Sequence, residues 1–172
     1  MVERRTDLLN SIDTGDIATD KRIETPCGRV VQVAALVFRN GSSGVQVLLI
    51  TSRGTGRWVL PKGWPQVGKT LSQSALAEAY EEAGVRGRVQ PDVLGSYTYQ
   101  KTDADQGEDD DFRVNVYAVE FTRSAKKWPE RGERRLEWVS PEEAARRVDE
   151  PELRIILRTF GEDSARPASG SE

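Results

Sequence analysis

The sequence predicts an α/β domain in which a mixed sheet is covered on both faces by helices. Three observations lead there. Runs rich in β-branched and apolar residues recur at Arg29–Phe38, Val45–Ile50 and Phe112–Phe121. A central helix carries start and stop signals at its two ends. A second helix near the C-terminus sets Leu153, Ile156, Leu157 and Phe160 on one face.

Taken in order, residues 1–25 are polar and mixed in charge, with one apolar pair at Leu8-Leu9. They read as an extension before a domain at 26–160. The run Arg29–Phe38 is apolar enough for a buried strand, and Asn40-Gly41 with Ser42, Ser43 and Gly44 makes a turn into the returning strand Val45–Ile50. A polar loop, Arg53–Arg57, precedes a short extended piece at Trp58-Val59-Leu60, which Pro61 ends. Beyond the central helix, 88–101 reads as one or two strands broken at Pro91 and Gly95. Residues 103–111 (DADQGEDDD) read as an acidic loop, followed by the strand Phe112–Phe121 and a short strand at Leu136–Val139. Ser140 caps a helix opening at Pro141, and the final helix spans about 151–160. The remaining 161–172 reads as a flexible tail with little to bury.

The stretch from Gly63 to Val85, GWPQVGKTLSQSALAEAYEEAGV, organises the rest. Thr70 with Gln73 three residues on forms a capping box. Gly84 supplies the left-handed C-terminal position. Leu71, Ala75, Ala79 and Ala83 recur at spacing four and make a small, closely packing face. Glu78, Glu81 and Glu82 fall within an arc of roughly 100°, about a right angle from that face.

Acidic clusters on helices usually face solvent, yet two features oppose that here. No Lys or Arg lies between Leu71 and Ala83 to pair with the glutamates. They also sit near the helix C-terminus, where the macrodipole disfavours each by several tenths of a kcal/mol, and their i,i+3 and i,i+4 spacing adds repulsion. A divalent cation removes both costs, and hard cations such as Mg²⁺ prefer carboxylate and carbonyl oxygens.

Composition narrows the chemistry. The 172 residues include no histidine, which excludes Ser-His-Asp and Cys-His catalysis and His-ligated zinc. A single cysteine, Cys27, excludes an intrachain disulfide framework and suits a reducing compartment, its ordinary fate being a small buried side chain. The net charge of −3 gives no pull toward nucleic-acid polymer, and no run is apolar enough for a membrane span. The expectation is a cytoplasmic protein, with a homodimer left open.

The stretch resembles the Nudix box, a glycine followed by five residues, Glu, seven residues and then R-E-U-x-E-E-x-G-U, with U bulky and aliphatic. Gly63, Glu78, Glu81, Glu82, Gly84 and Val85 match at that spacing. Two positions depart: Lys69 stands at a Glu position and Ala77 at the Arg position. The resemblance implies a Nudix α/β/α sandwich with a loop-helix-loop active site. It also implies metal-dependent attack of water on a phosphoanhydride. Carried over by position, Glu78 and Glu82 coordinate Mg²⁺ (Mn²⁺ as the alternative), with the Gly63 carbonyl as a backbone ligand. Glu81 either helps hold a second ion or serves in water activation, so Glu78 and Glu81 are the catalytic candidates. Some members take the base from outside the box, which makes Glu108, Asp109, Asp110 and Asp111 reserves, although a solvated hairpin tip is the commoner role for such a loop.

Basic residues flank the box: Arg53, Arg57, Lys62 and Lys69, with Arg113 on the later strand as a further phosphate contact or a partner of Asp111. They suit a highly phosphorylated small molecule. The segments 57–61, 78–88 and 137–139 resemble the diphosphoinositol polyphosphate phosphohydrolase branch, and Leu60-Pro61-Lys62-Gly63 also resembles dinucleoside polyphosphate hydrolases. A nucleotide sugar, or a silent domain that binds phospholigands without cleaving them, are the alternatives. None of the four tryptophans is assigned to a nucleobase, since core or edge packing is their commoner use; Trp64, inside the active-site loop, is the one to test.

Overall fold

The structure, a computed structural model, describes residues 23–24, 29–102 and 109–166, with side chains at 29–100 and 111–166. Cys27, Glu108 and most of the N-terminal extension lie outside the described residues, as do 167–172.

The strands are β1 (Ile23–Glu24), β2 (Val30–Gly41), β3 (Gly44–Thr51), β4 (Trp58–Val59), β5 (Lys62–Gly63), β6 (Val85–Thr102), β7 (Asp109–Ser124) and β8 (Leu136–Val139). The helices are α1 (Leu71–Ala83), α2 (Pro141–Arg147) and α3 (Pro151–Ala165). The main sheet runs β4-β3-β2-β7-β6, parallel only between β2 and β7, so it is mixed as expected. β2 alternates strictly. Val33, Ala35 and Val37 pack under α1, while Ala34 and Leu36 pack under α2 and α3. That period of two makes the three layers, because each face of the strand needs its own apolar cover.

One edge of β2 positions the site. It pairs β3 at Phe38–Gly41 but β5 at Val33 and Ala34, so Lys62 and Gly63 hydrogen-bond into the sheet just before the loop to α1. α1 then starts and stops as the sequence dictates. Thr70 and Gln73 complete a reciprocal capping box, and Gly84 ends the helix at φ 65°. Leu71, Ala75, Ala79 and Ala83 are all buried against the sheet.

Four boundaries differ from expectation. β6 is one continuous strand with register shifts around Pro91 and Gly95, because an edge strand absorbs a proline and a glycine as bulges. Asp109–Asp111 do not belong to a loop; they pair with Thr102, Lys101 and Gln100 in the β6–β7 ladder. α3 continues to Ala165 rather than ending near 160. Gly161 lies inside it, where a Cβ would meet Pro141 at 2.9 Å, so the glycine serves close packing of α3 on α2. Ile23–Glu24, at the end of the expected extension, add a short strand to β2.

Candidate active site

The loop between β5 and α1 is held by its own backbone. The Gln66 N–H donates to Ser74 Oγ at 2.9 Å, and Ser74 Oγ donates to the Thr70 carbonyl. Ser74 is fully buried, so this bond fixes the loop against the helix start. Gln66 is thereby aimed along α1, where its Nε2 donates to Glu81 Oε1 at 3.0 Å. Lys69 Nζ donates in turn to Gln66 Oε1. A Cβ at Gly63 would overlap the Glu78 carboxylate, so only glycine lets the β5 backbone and this carboxylate share the space.

Glu82 is buried, and both of its oxygens are taken. The Lys62 N–H donates to Oε2 at 3.0 Å, and Arg134 Nη2 donates to Oε1 at 2.5 Å. Burial pushes the Glu82 carboxyl up, opposed by the Arg134 charge and the Lys62 amide. Glu78 has no such cation. Burial and then the charges of Glu82 and Glu81 raise it to about 7, and a bond from Gln66 offsets only part. The Lys62 ammonium is itself pushed down by burial, with Glu82 opposing.

The oxygens of Glu78, Glu81 and Glu82 are of the kind that hard divalent cations take. The bare Cα of Gly63 leaves room for the Glu78 carboxylate beside β5. As placed, no three carboxylates among the described residues converge closely enough to enclose an ion. Glu81 accepts from Gln66 and Glu82 from Arg134, so each of these carboxylates is held by a neighbouring side chain.

A family model for the NUDIX domain matches residues 28–160. The chain belongs to the Nudix hydrolase family. Among its relatives, Nudix hydrolase 16, mitochondrial, of Arabidopsis thaliana is 33% identical over 122 residues, covering 69% of this chain and 67% of that protein. Human diphosphoinositol polyphosphate phosphohydrolase 3-alpha is 30% identical over 125 residues, covering 72% and 71%. The matched stretch spans between 52% and 71% of the lengths of such relatives. A crystal structure of C. elegans Ap4A hydrolase superposes with a TM-score of 0.57 at 19% identity, over 80% of this chain and 99% of that one, and so shares the fold. Nudix hydrolases generally use divalent metals, which agrees with the donor set.

Of the Nudix-box residues, the structure brings Gly63, Glu78, Glu81 and Glu82 to one end of α1. The flanking cations are distributed differently. Lys62 reaches the Tyr99 hydroxyl at 3.0 Å and lies over its ring. Tyr99 stacks on Phe112, and Phe112 meets Trp64 edge-on, so an aromatic row ends at the exposed Trp64. Arg53 pairs with Glu130 and Glu133, and Arg57 with Glu150 and Asp149. Arg113 donates to Ser96 Oγ, while Asp111 lies 4.0 Å from Arg29. The two departures from the Nudix box, Lys69 and Ala77, line one open groove of about 590 Å³ with Gln73, Tyr80, Glu81 and Arg86.

Arg134, Glu130 and Gln66 are the residues that sequence reasoning missed. One signal was present: a helix with three glutamates and no base of its own must find its cation elsewhere in the chain. Nothing local says that the base lies 52 positions beyond Glu82.

No helix among the described residues is long and apolar enough to cross a membrane.

Proposed function

We propose that this protein is a divalent-cation-dependent pyrophosphohydrolase acting on a small, highly phosphorylated molecule, a dinucleoside polyphosphate or a diphosphoinositol polyphosphate, in the cytoplasm. The observation that carries the reading is Glu78: a half-buried carboxylate with a pKa pushed to about 7 by burial and then by the charges of Glu82 and Glu81, against a glycine that cannot be replaced without displacing it. The relatives named for these two substrate types support the choice of substrate class.

Gly63, Glu78, Glu81 and Glu82 would hold the cation, Mg²⁺ in the first instance and Mn²⁺ as a substitute. Such an ion, when bound, places positive charge against the phosphate oxygens and makes water easier to deprotonate. The chain's own part is orientation. The Lys62 amide and Arg134 fix the Glu82 carboxylate, leaving each oxygen one further lone pair. Gln66 holds one oxygen of Glu81, leaving the other to accept a proton from an attacking water. Lys62 Nζ, held by the Tyr99 hydroxyl and ring rather than by a carboxylate hydrogen bond, has less to give up in turning toward a phosphate. Arg53 and Arg57 would have to leave their carboxylate partners to do the same, and Arg113 its serine, so Lys62 ranks first among the four as a substrate contact.

The test is release of phosphate and nucleotide from a panel of dinucleoside polyphosphates, diphosphoinositol polyphosphates and nucleotide sugars, with Mg²⁺ or Mn²⁺. Metal-dependent release by wild type, lost in Glu82→Gln, is the expected result. Release confined to nucleotide sugars would overturn the substrate class. Metal-dependent binding with no turnover of any panel member would mean a silent binding domain.

A further inference from the structure

α1 contains no base, and Ala77 leaves its polar face without one, yet the buried end of that face carries Glu82. The cation comes from the segment between β7 and β8. This segment is docked on the C-terminal end of α1 by three contacts. The Ala125 N–H donates to the Gly84 carbonyl at 2.7 Å, and the Glu130 N–H to the Glu81 carbonyl at 3.1 Å. Trp128 lies so close over Gly84 that a Cβ there would approach its ring to 2.5 Å. Within the segment, the Arg131 guanidinium stands over the Trp128 indole, 5.4 Å from its centroid.

The docked segment delivers Arg134, whose side chain is 7% exposed and whose three guanidinium nitrogens are all engaged. Nη2 donates to Glu82 Oε1, Nε to Glu130 Oε2 at 2.7 Å, and Nη1 to the Thr51 carbonyl at 3.1 Å. A planar fork bound at three corners has one orientation, so it transmits that orientation to Glu82.

We propose that Arg134 is a positioning residue: through the β7–β8 segment it fixes the Glu82 carboxylate in the plane that a divalent cation requires, and so sets the metal affinity of the site. The inference rests on the reading of Glu82 as a metal ligand. Arg134 touches no reacting atom. Lysine at this position keeps the charge but offers a point donor in place of the fork.

The test compares wild type, Arg134→Ala and Arg134→Lys in two measurements. The first is Mn²⁺ binding, followed by the electron paramagnetic resonance signal of the free ion without substrate. The second is steady-state hydrolysis at saturating metal. The expected result is a dissociation constant for Mn²⁺ raised roughly 10- to 100-fold in Arg134→Ala, the usual effect of removing a partner that orients a metal ligand. At saturating metal, kcat falls while KM for substrate stays near wild type, and Arg134→Lys lies between the two. If the alanine variant does not fold, by circular dichroism, the lysine variant decides: weakened Mn²⁺ binding supports the inference and wild-type binding overturns it. Wild-type Mn²⁺ affinity and kcat in a folded Arg134→Ala would overturn it alone, with the metal site intact. A wild type that neither binds Mn²⁺ nor turns over substrate would overturn both this inference and the reading beneath it.

Discussion

α1 and α2 solve the same electrostatic problem in opposite ways. α2 opens with Ser140 capping the Glu143 N–H, puts Glu142 and Glu143 in its first turn, and ends with Arg146 and Arg147. Its charges pair internally, Arg146 and Arg147 both reaching Glu143, and these bonds hold the Glu143 carboxyl below the usual range. α1 has no acid in its first turn and no base in its last. Its glutamates gather at the end where the dipole repels them, and Glu78 is driven up rather than down. A helix built only for stability looks like α2. These departures in α1 are what the proposed metal-binding role of that helix would require.

The contrast can be broken most forcefully at Glu82. Glu82→Gln should lower turnover by about 100-fold or more, because it removes a ligand charge and leaves Arg134 facing a neutral amide. Steady-state rates at several Mg²⁺ concentrations check this, and a variant within a few-fold of wild type at all of them would remove α1 from the chemistry. Gly63→Ala comes next. The added methyl overlaps Glu78, so turnover should fall roughly 10- to 100-fold, with a stability loss of about 1–3 kcal/mol in a urea titration.

The pH response sharpens the comparison. Folded Glu78 titrates at about 7 against an ordinary value of 4.5, so between these the folded chain holds a proton that the unfolded chain has released. Stability of the metal-free protein is therefore higher at the acid end and declines as pH rises through 7, by about 1–2 kcal/mol after allowance for partial exposure. Urea midpoints at pH 5 and pH 8 in EDTA should show the decline, and Glu78→Gln should flatten it. The smallest effect belongs to α2. Ser140→Ala should cost about 1 kcal/mol through the lost cap and leave kcat and metal dependence unchanged.

What the sequence made legible was local. Caps at Thr70 and Gly84, the spacing of Leu71, Ala75, Ala79 and Ala83, and the alternation in β2 each follow from residues within a few positions of one another. The placement of Glu78, Glu81 and Glu82 in the last part of α1 was legible for the same reason, as was the lack of Lys and Arg within that helix. What stayed hidden was set by distant partners. Pro91 looked like a strand break until β6 proved to be an edge. Asp109–Asp111 looked like loop because their pairing with 100–102 spans a connection whose length gives no register. Arg134 was one arginine among many, and only the packing of Trp128 on Gly84 selects it.

If α1 keeps its glutamates at a cost in stability that a divalent cation relieves, thermal melts of wild type and Glu78→Gln at pH 8, in EDTA and in excess Mg²⁺, will show it. Glu78→Gln should melt higher than wild type in EDTA. Mg²⁺ should stabilise wild type, by up to about 2.7 kcal/mol at a hundred times the dissociation constant, and the variant much less. A wild type that melts above the variant in EDTA and does not respond to Mg²⁺ would contradict it.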